Sequence, residues 1–212
     1  MWIYLTRHAE THGNINRIVQ TPDTPLTAHG IQQADALALA YSQLPIEQIV
    51  CSDYARTLST ATPLHKLTQC KLMLEPLLRE RNFGDLRGQH YDQIKADFFA
   101  QDYHPPNGES YPQFVERVKL AWQTIIDLTD HTSNAEANSG IMVMTHGLVI
   151  RCILTEIIKI SPDILLSTDI QNTSVCRINS QEYTDMPLLC DVSHLSAIQV
   201  QPFTKYAKPG AV

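Results

Sequence analysis

A chain of 212 residues can bury one substantial core, and its 43% apolar and 18% charged residues are those of an ordered globular protein, not a disordered one. The formal net charge of −6, with no basic block, speaks against a nucleic-acid or anionic-membrane surface. Five cysteines, widely spread and without a C-x-x-C pair, suggest neither a disulfide framework nor a zinc knuckle.

Short apolar runs alternate with helical patterns, the signature of α/β architecture. Trp2 to Thr6 reads as a first strand, too short for a signal peptide before charged residues begin. Thr27 is placed to N-cap a helix through Ile31, Ala34, Leu37, Leu39 and Leu44, stopped by Pro45. Gln48 to Cys51 predicts a second strand, followed by a helix from about Asp53 to Leu67, and Lys71 to Glu75 a short third strand. Asp102 to Pro112, with three prolines and Gly108, is a candidate active-site flap, and 77–112 a candidate inserted subdomain. Phe114, Val118, Ala121, Ile125 and Leu128 give helical spacing from Gln113 to Thr129. His131 to Gly140 has the composition of a surface loop. Ile141 to Thr145 is a continuous apolar strand, Leu148 to Ile160 an apolar helix, and Val175–Asn179 and Ala197–Phe203 two late strands. No apolar run reaches the roughly 18 residues of a bilayer span, so a cytoplasmic protein is expected.

In open α/β sheets ligands sit beyond the carboxyl ends of strands. Three predicted strands end in residues that suit phosphate: Thr6-Arg7-His8-Ala9-Glu10, Ser52-Asp53-Tyr54-Ala55-Arg56-Thr57, and Thr145-His146-Gly147. Arginine donates paired hydrogen bonds to phosphate oxygens, which makes Arg7 and Arg56 a candidate clamp. A neutral imidazole can attack phosphorus, so either His8 or His146 can be the nucleophile and the other a donor. A carboxylic acid held protonated would serve the leaving group.

These segments also resemble a known family. Thr6 to Asn14 is similar to the N-terminal Arg-His-Gly-Glu-Thr-x-x-Asn signature of the histidine phosphatase (phosphoglycerate mutase-like) superfamily. Pro25-Leu26-Thr27 with Gly30, Ser52 to Ala61, Leu78 to Gly88, Gly108-Glu109-Ser110, Thr145 to Arg151 and Asn172-Thr173-Ser174 resemble its further motifs in order. The resemblance implies a three-layer α/β domain over 1–212 with a mixed, mainly parallel sheet. It implies His8 as phosphorylated nucleophile, Arg7, Arg56 and His146 on the phosphoryl oxygens, and Glu80 as general acid. Asn14 would contact substrate, with Gln20, Thr21 and Gly147 nearby. No metal or other cofactor is implied. Ala9 replaces the usual glycine, which requires a negative φ there.

Glu10, Asp53 and Glu109 rival Glu80 as acid. Asn14 would also suit a turn cap, Ser110 a helix N-cap, and His104 a place lining the flap. His8 and His12 have metal-pair spacing but no third ligand at a telling distance. Cys51 and Arg56 are one residue too close for a cysteine-phosphatase loop. The expected activity is hydrolysis of a small phosphorylated metabolite, its identity decided by the flap and by the segment around Arg81, Phe83 and Arg87. A phosphoglycerate mutase and a non-catalytic phosphate-ester binder are the alternatives. Nothing marks a protein-docking module; a homodimer is compatible with the sequence.

Overall fold

Alternation along the strands assigns the two faces of the sheet. In a computed structural model, which describes residues 1–130 and 139–198, β1 (Trp2–Arg7), β2 (Ile46–Cys51), β3 (Lys71–Leu74), β4 (Gly140–Thr145), β5 (Val175–Asn179) and β6 (Leu188–Asp191) lie in the order β3-β2-β4-β1-β5-β6. The pairings among β3, β2, β4 and β1 are parallel, and β5 and β6 add antiparallel strands at one edge. Ile3, Leu5, Val50, Ile141 and Val143 face one layer, formed by α4 (Tyr111–Asp130) and α5 (Gly147–Cys152). Tyr4, Ile49, Cys51, Met142 and Met144 face the other, formed by α2 (Ala28–Tyr41) and α3 (Ala55–Thr68). The expected three layers and mixed sheet are therefore present. β4 is buried along its whole length, which is why it reads as an unbroken apolar run.

Several elements differ from expectation. Thr27 caps α2 as read, its hydroxyl accepting the Gly30 N–H at 2.9 Å. The helix ends at Tyr41, however, and its packed face runs through Gly30, Ala34, Leu37, Ala38 and Tyr41, leaving Ile31 and Leu39 exposed. Gly30 sets that face, because a Cβ there would lie 2.1 Å from the Glu10 carbonyl. The expected helix beyond α5 widens into a π-turn over Ile153–Ile157, with Ile158 N–H bonded to the Ile153 carbonyl. The short helix α6 (Pro162–Ser167) follows. Among the described residues the last strand is Leu188–Asp191; of the strand expected at Ala197–Phe203, Ala197 closes a 3-10 turn begun at Ser193, and 199–203 lie outside the described residues. The loop expected at 131–140 lies largely outside them too; Gly140 already belongs to β4.

Between β3 and α4 the chain makes short 3-10 turns at Pro76–Leu78, Gly84–Leu86 and Tyr91–Gln93. They surround a separate small cluster of Val19, Phe83, Leu86 and Phe98. Gly84 has φ +52°, and its Cα packs so close to the 105–108 turn that a Cβ would lie 2.0 Å from the Pro106 carbonyl. The Cys176 and Cys190 sulfurs face each other across β5 and β6 at 3.4 Å, as thiols. Among the described residues no helix is long and apolar enough to cross a membrane.

Candidate active site

Because β1, β2 and β4 are neighbours and parallel, their carboxyl ends share one edge, with Arg7 beside Thr145 and Cys51 beside Met144. The segments leaving those ends bring Arg7, His8, Arg56 and Gly147 to one cavity of about 310 Å³, together with Asn14 and Gln20, and the segment that follows β3 adds Glu80. His146 lies directly behind it, fully buried, its ring 5.3 Å from that of His8.

The backbone sets the tautomer of His8. Its Nδ1 lies 2.7 Å from the Ala9 carbonyl, which can only accept, so Nδ1 carries the proton and Nε2 keeps its lone pair. Burial, reinforced by Arg56 and Arg7, holds the imidazole pKa well below its ordinary value. Ala9 is buried without positive φ, and its N–H donates to Thr60 Oγ1 at 3.0 Å. The substitution for glycine is thus accommodated.

Arg56, only 2% exposed, is the largest fully buried side chain, and burial pulls its pKa down to about 10. Its Nη1 donates to the Thr21 carbonyl at 3.0 Å, while Arg7 Nη1 donates to the Ile170 carbonyl at 2.6 Å. These bonds orient both guanidinium groups and leave Nε of each buried without a protein partner. His146 Nδ1 is likewise unpartnered, whereas its Nε2 lies 2.9 Å from Ser52 Oγ. If the serine hydroxyl donates to Nε2, Nδ1 carries the proton and becomes a third donor. Buried donors of this kind need an acceptor, and an oxyanion supplies one.

Glu80 completes the site. Its oxygens accept the Arg81 N–H at 3.0 Å and the Leu148 N–H at 3.2 Å, yet burial outweighs both and raises its pKa. The rival carboxylates are engaged elsewhere. Glu10 accepts the Thr27 hydroxyl at 2.7 Å, Asp53 is gripped by Arg79, and Glu109 pairs with Arg117 at 2.8 Å. None of the three lines the cavity; Glu80 and Asp169 do.

The other expected residues divide. Asn14 both lines the cavity and closes a capping box with Thr11, while Asn172 Nδ2 donates to its Oδ1 at 3.3 Å and to the His8 carbonyl at 2.9 Å. Gln20 lines the cavity, with Thr11 Oγ1 2.9 Å from its Oε1. Thr21 does not: its exposed hydroxyl pairs with Thr24, and only its carbonyl reaches the site, through Arg56. Nothing from 102–112 lines the cavity. That stretch buttresses Arg81, whose guanidinium donates to the Tyr103 and Glu109 carbonyls at 2.6 and 3.2 Å. Ser110 brackets the start of α4 with Gln113, whose Oε1 accepts the Ser110 N–H at 3.0 Å, and His104 is exposed. His12 is exposed on the short helix α1 (His12–Ile15), apart from buried His8, and among the described residues no three His, Cys, Asp or Glu side chains form a metal-binding group.

Residues 3–188 match the family model of the histidine phosphatase superfamily, branch 1. The chain belongs to that superfamily. The "Probable phosphoglycerate mutase GpmB" of Escherichia fergusonii is 30% identical over 211 residues, covering 92% of this chain and 95% of its own. Among solved structures, YhfR of Bacillus stearothermophilus is 28% identical with a TM-score of 0.77, covering 92% of this chain and 98% of that one. A mycobacterial glucosyl-3-phosphoglycerate phosphatase shares the fold, with 22% identity and a TM-score of 0.73 over 90% of this chain and 99% of that one.

In this member of the superfamily the sequence motifs did not single out Ser52 or the aromatic wall of Tyr91, Phe98 and Phe99. Their one signal was Phe98-Phe99, an aromatic pair set in a polar stretch.

Proposed function

We propose that the chain is a phosphatase for small phosphomonoesters that works through phospho-His8 and needs no metal. The observation that carries this is the His8 Nε2 lone pair, held by the Nδ1 bond to Ala9 beside buried arginine donors that lack protein partners. Nε2 attacks phosphorus in line with the ester oxygen, and the P–O bond breaks as the P–N bond forms. Arg7, Arg56 and His146 hold the three equatorial oxygens, whose charge is spread in the transition state. Glu80 gives its proton to the departing alkoxide and, now a carboxylate, takes one from the water that cleaves the P–N bond. The Ala9 carbonyl, accepting from Nδ1, stabilises the positive charge on the phosphorylated ring.

The similarity to proteins named as phosphoglycerate mutases supports a second reading, in which the phosphoryl group returns to the substrate. A phosphoglycerate also carries a carboxylate, which needs its own cation. Arg81, committed to backbone carbonyls, and Arg87, whose Nη2 donates to the Tyr54 hydroxyl at 2.9 Å, are poorly free to supply it. Assaying purified protein with a panel of phosphomonoesters, with and without chelator, should give chelator-insensitive phosphate release. Conversion of 3- to 2-phosphoglycerate without net release would replace this reading with the mutase.

A further inference from the structure

Beyond the phosphate-binding end, the cavity changes character. Val19, Phe83, Tyr91, Phe98, Phe99 and Leu148 line it there, and four of those six are aromatic. Phe98 and Phe99 lie 4.2 Å apart between ring centroids and tilted by 36°. Tyr91 meets them edge-on at 5.2 and 5.7 Å, and Phe83 at 5.6 and 5.8 Å. Phe98 and Phe83 are buried, but Phe99 remains 45% exposed in the cavity wall. The rings contact one another, so a flat apolar group entering the cavity meets a formed surface. Arg81 is held by backbone carbonyls, Arg87 by Tyr54, and Arg151 shares the lining with Asp169.

We infer that the alcohol portion of the substrate carries an aromatic or similarly flat apolar ring, which Phe99, Phe98 and Tyr91 receive while the phosphoryl group sits at His8. This rests on the phosphatase reading and specifies its substrate class. The ring leaves water and the exposed face of Phe99 is covered, so binding energy far from phosphorus favours ring-bearing esters.

The test compares 2-phenylethyl phosphate with ethyl phosphate, both of which release a simple alkoxide, so their ratio of kcat/KM reads the ring and not the leaving group. The expected ratio is about ten- to a hundredfold, the scale of burying one ring. Phe99→Ser should lower kcat/KM for the phenylethyl ester by about tenfold more than for the ethyl ester, and Phe99→Leu by less. Equal kcat/KM for the two esters in the native protein overturns the inference while leaving the phosphatase reading intact. So does a ratio untouched by Phe99→Ser, or faster turnover of 3-phosphoglycerate than of the phenylethyl ester. Phosphate release from neither ester, with no phosphoryl group on His8, removes the phosphatase reading and this inference together.

Discussion

Glu80 and His8 are each moved toward the neutral form by the same cause. Burial raises the carboxyl pKa of one and lowers the imidazole pKa of the other. The arginines oppose this at Glu80, but a bound phosphate dianion offsets their charge and favours the protonated acid further. Activity should therefore persist below the ordinary histidine pKa, because His8 stays neutral there, and decline as pH rises through the raised pKa of Glu80. Glu80→Gln should cut kcat/KM for alkyl phosphates by about 10²- to 10⁴-fold, aryl phosphates far less, and abolish the alkaline decline. A uniform loss across both ester types would remove Glu80 from the acid role. At this scale the charged residues were legible because phosphate chemistry restricts which side chains can serve. Thr21 serves the site through its carbonyl on Arg56 and not through its hydroxyl, a role no sequence motif can mark because any residue supplies a carbonyl. Ser52 was missed because its hydroxyl acts on His146, not on a substrate. Phe98 and Phe99 were missed because aromatic residues ordinarily read as core.

The elements that carry the site were read well where burial imposes a period, and poorly where packing cuts across it. β1, β2 and β4 announced themselves as apolar runs, and their shared carboxyl edge followed from parallel pairing. The π-turn at Ile153–Ile157 left no trace in the apolar pattern, since widening a turn by one residue keeps the same residue types buried. β6 was missed because it is a four-residue edge strand following Pro187. The wall of the cavity depends on the 81–110 segment, and that segment depends on Gly84. A β-carbon there would meet the Pro106 carbonyl in a backbone conformation that favours glycine. Gly84→Ala should destabilise the protein by about 2 kcal/mol or more, read as a lower urea midpoint. An unchanged midpoint would show that the 105–108 turn yields freely and does not buttress the wall.

For the whole molecule, a buried pair of histidines links folding to pH. The folded-state pKa values of His8 and His146 lie well below the ordinary 6.5 because both rings are desolvated beside arginines. The unfolded chain therefore takes up protons near 6.5 that the folded chain refuses, and stability falls as pH drops below that value. Glu80, shifted upward, works in the opposite sense: its contribution is full below the ordinary carboxyl range and is lost as pH rises through its raised pKa. Denaturation midpoints should fall between pH 7 and about 5, and His146→Asn should show a shallower fall than the native protein. Identical slopes would mean that the imidazole at 146 already titrates normally.

The account stands on phosphorus reaching the imidazole of His8. Mixing the protein with a labelled phosphomonoester and quenching within the first turnovers should trap one acid-labile, alkali-stable phosphoryl group per chain, mapped to His8 and lost in His8→Ala. Steady phosphate release with no label on the protein, or label persisting in His8→Ala, would contradict it.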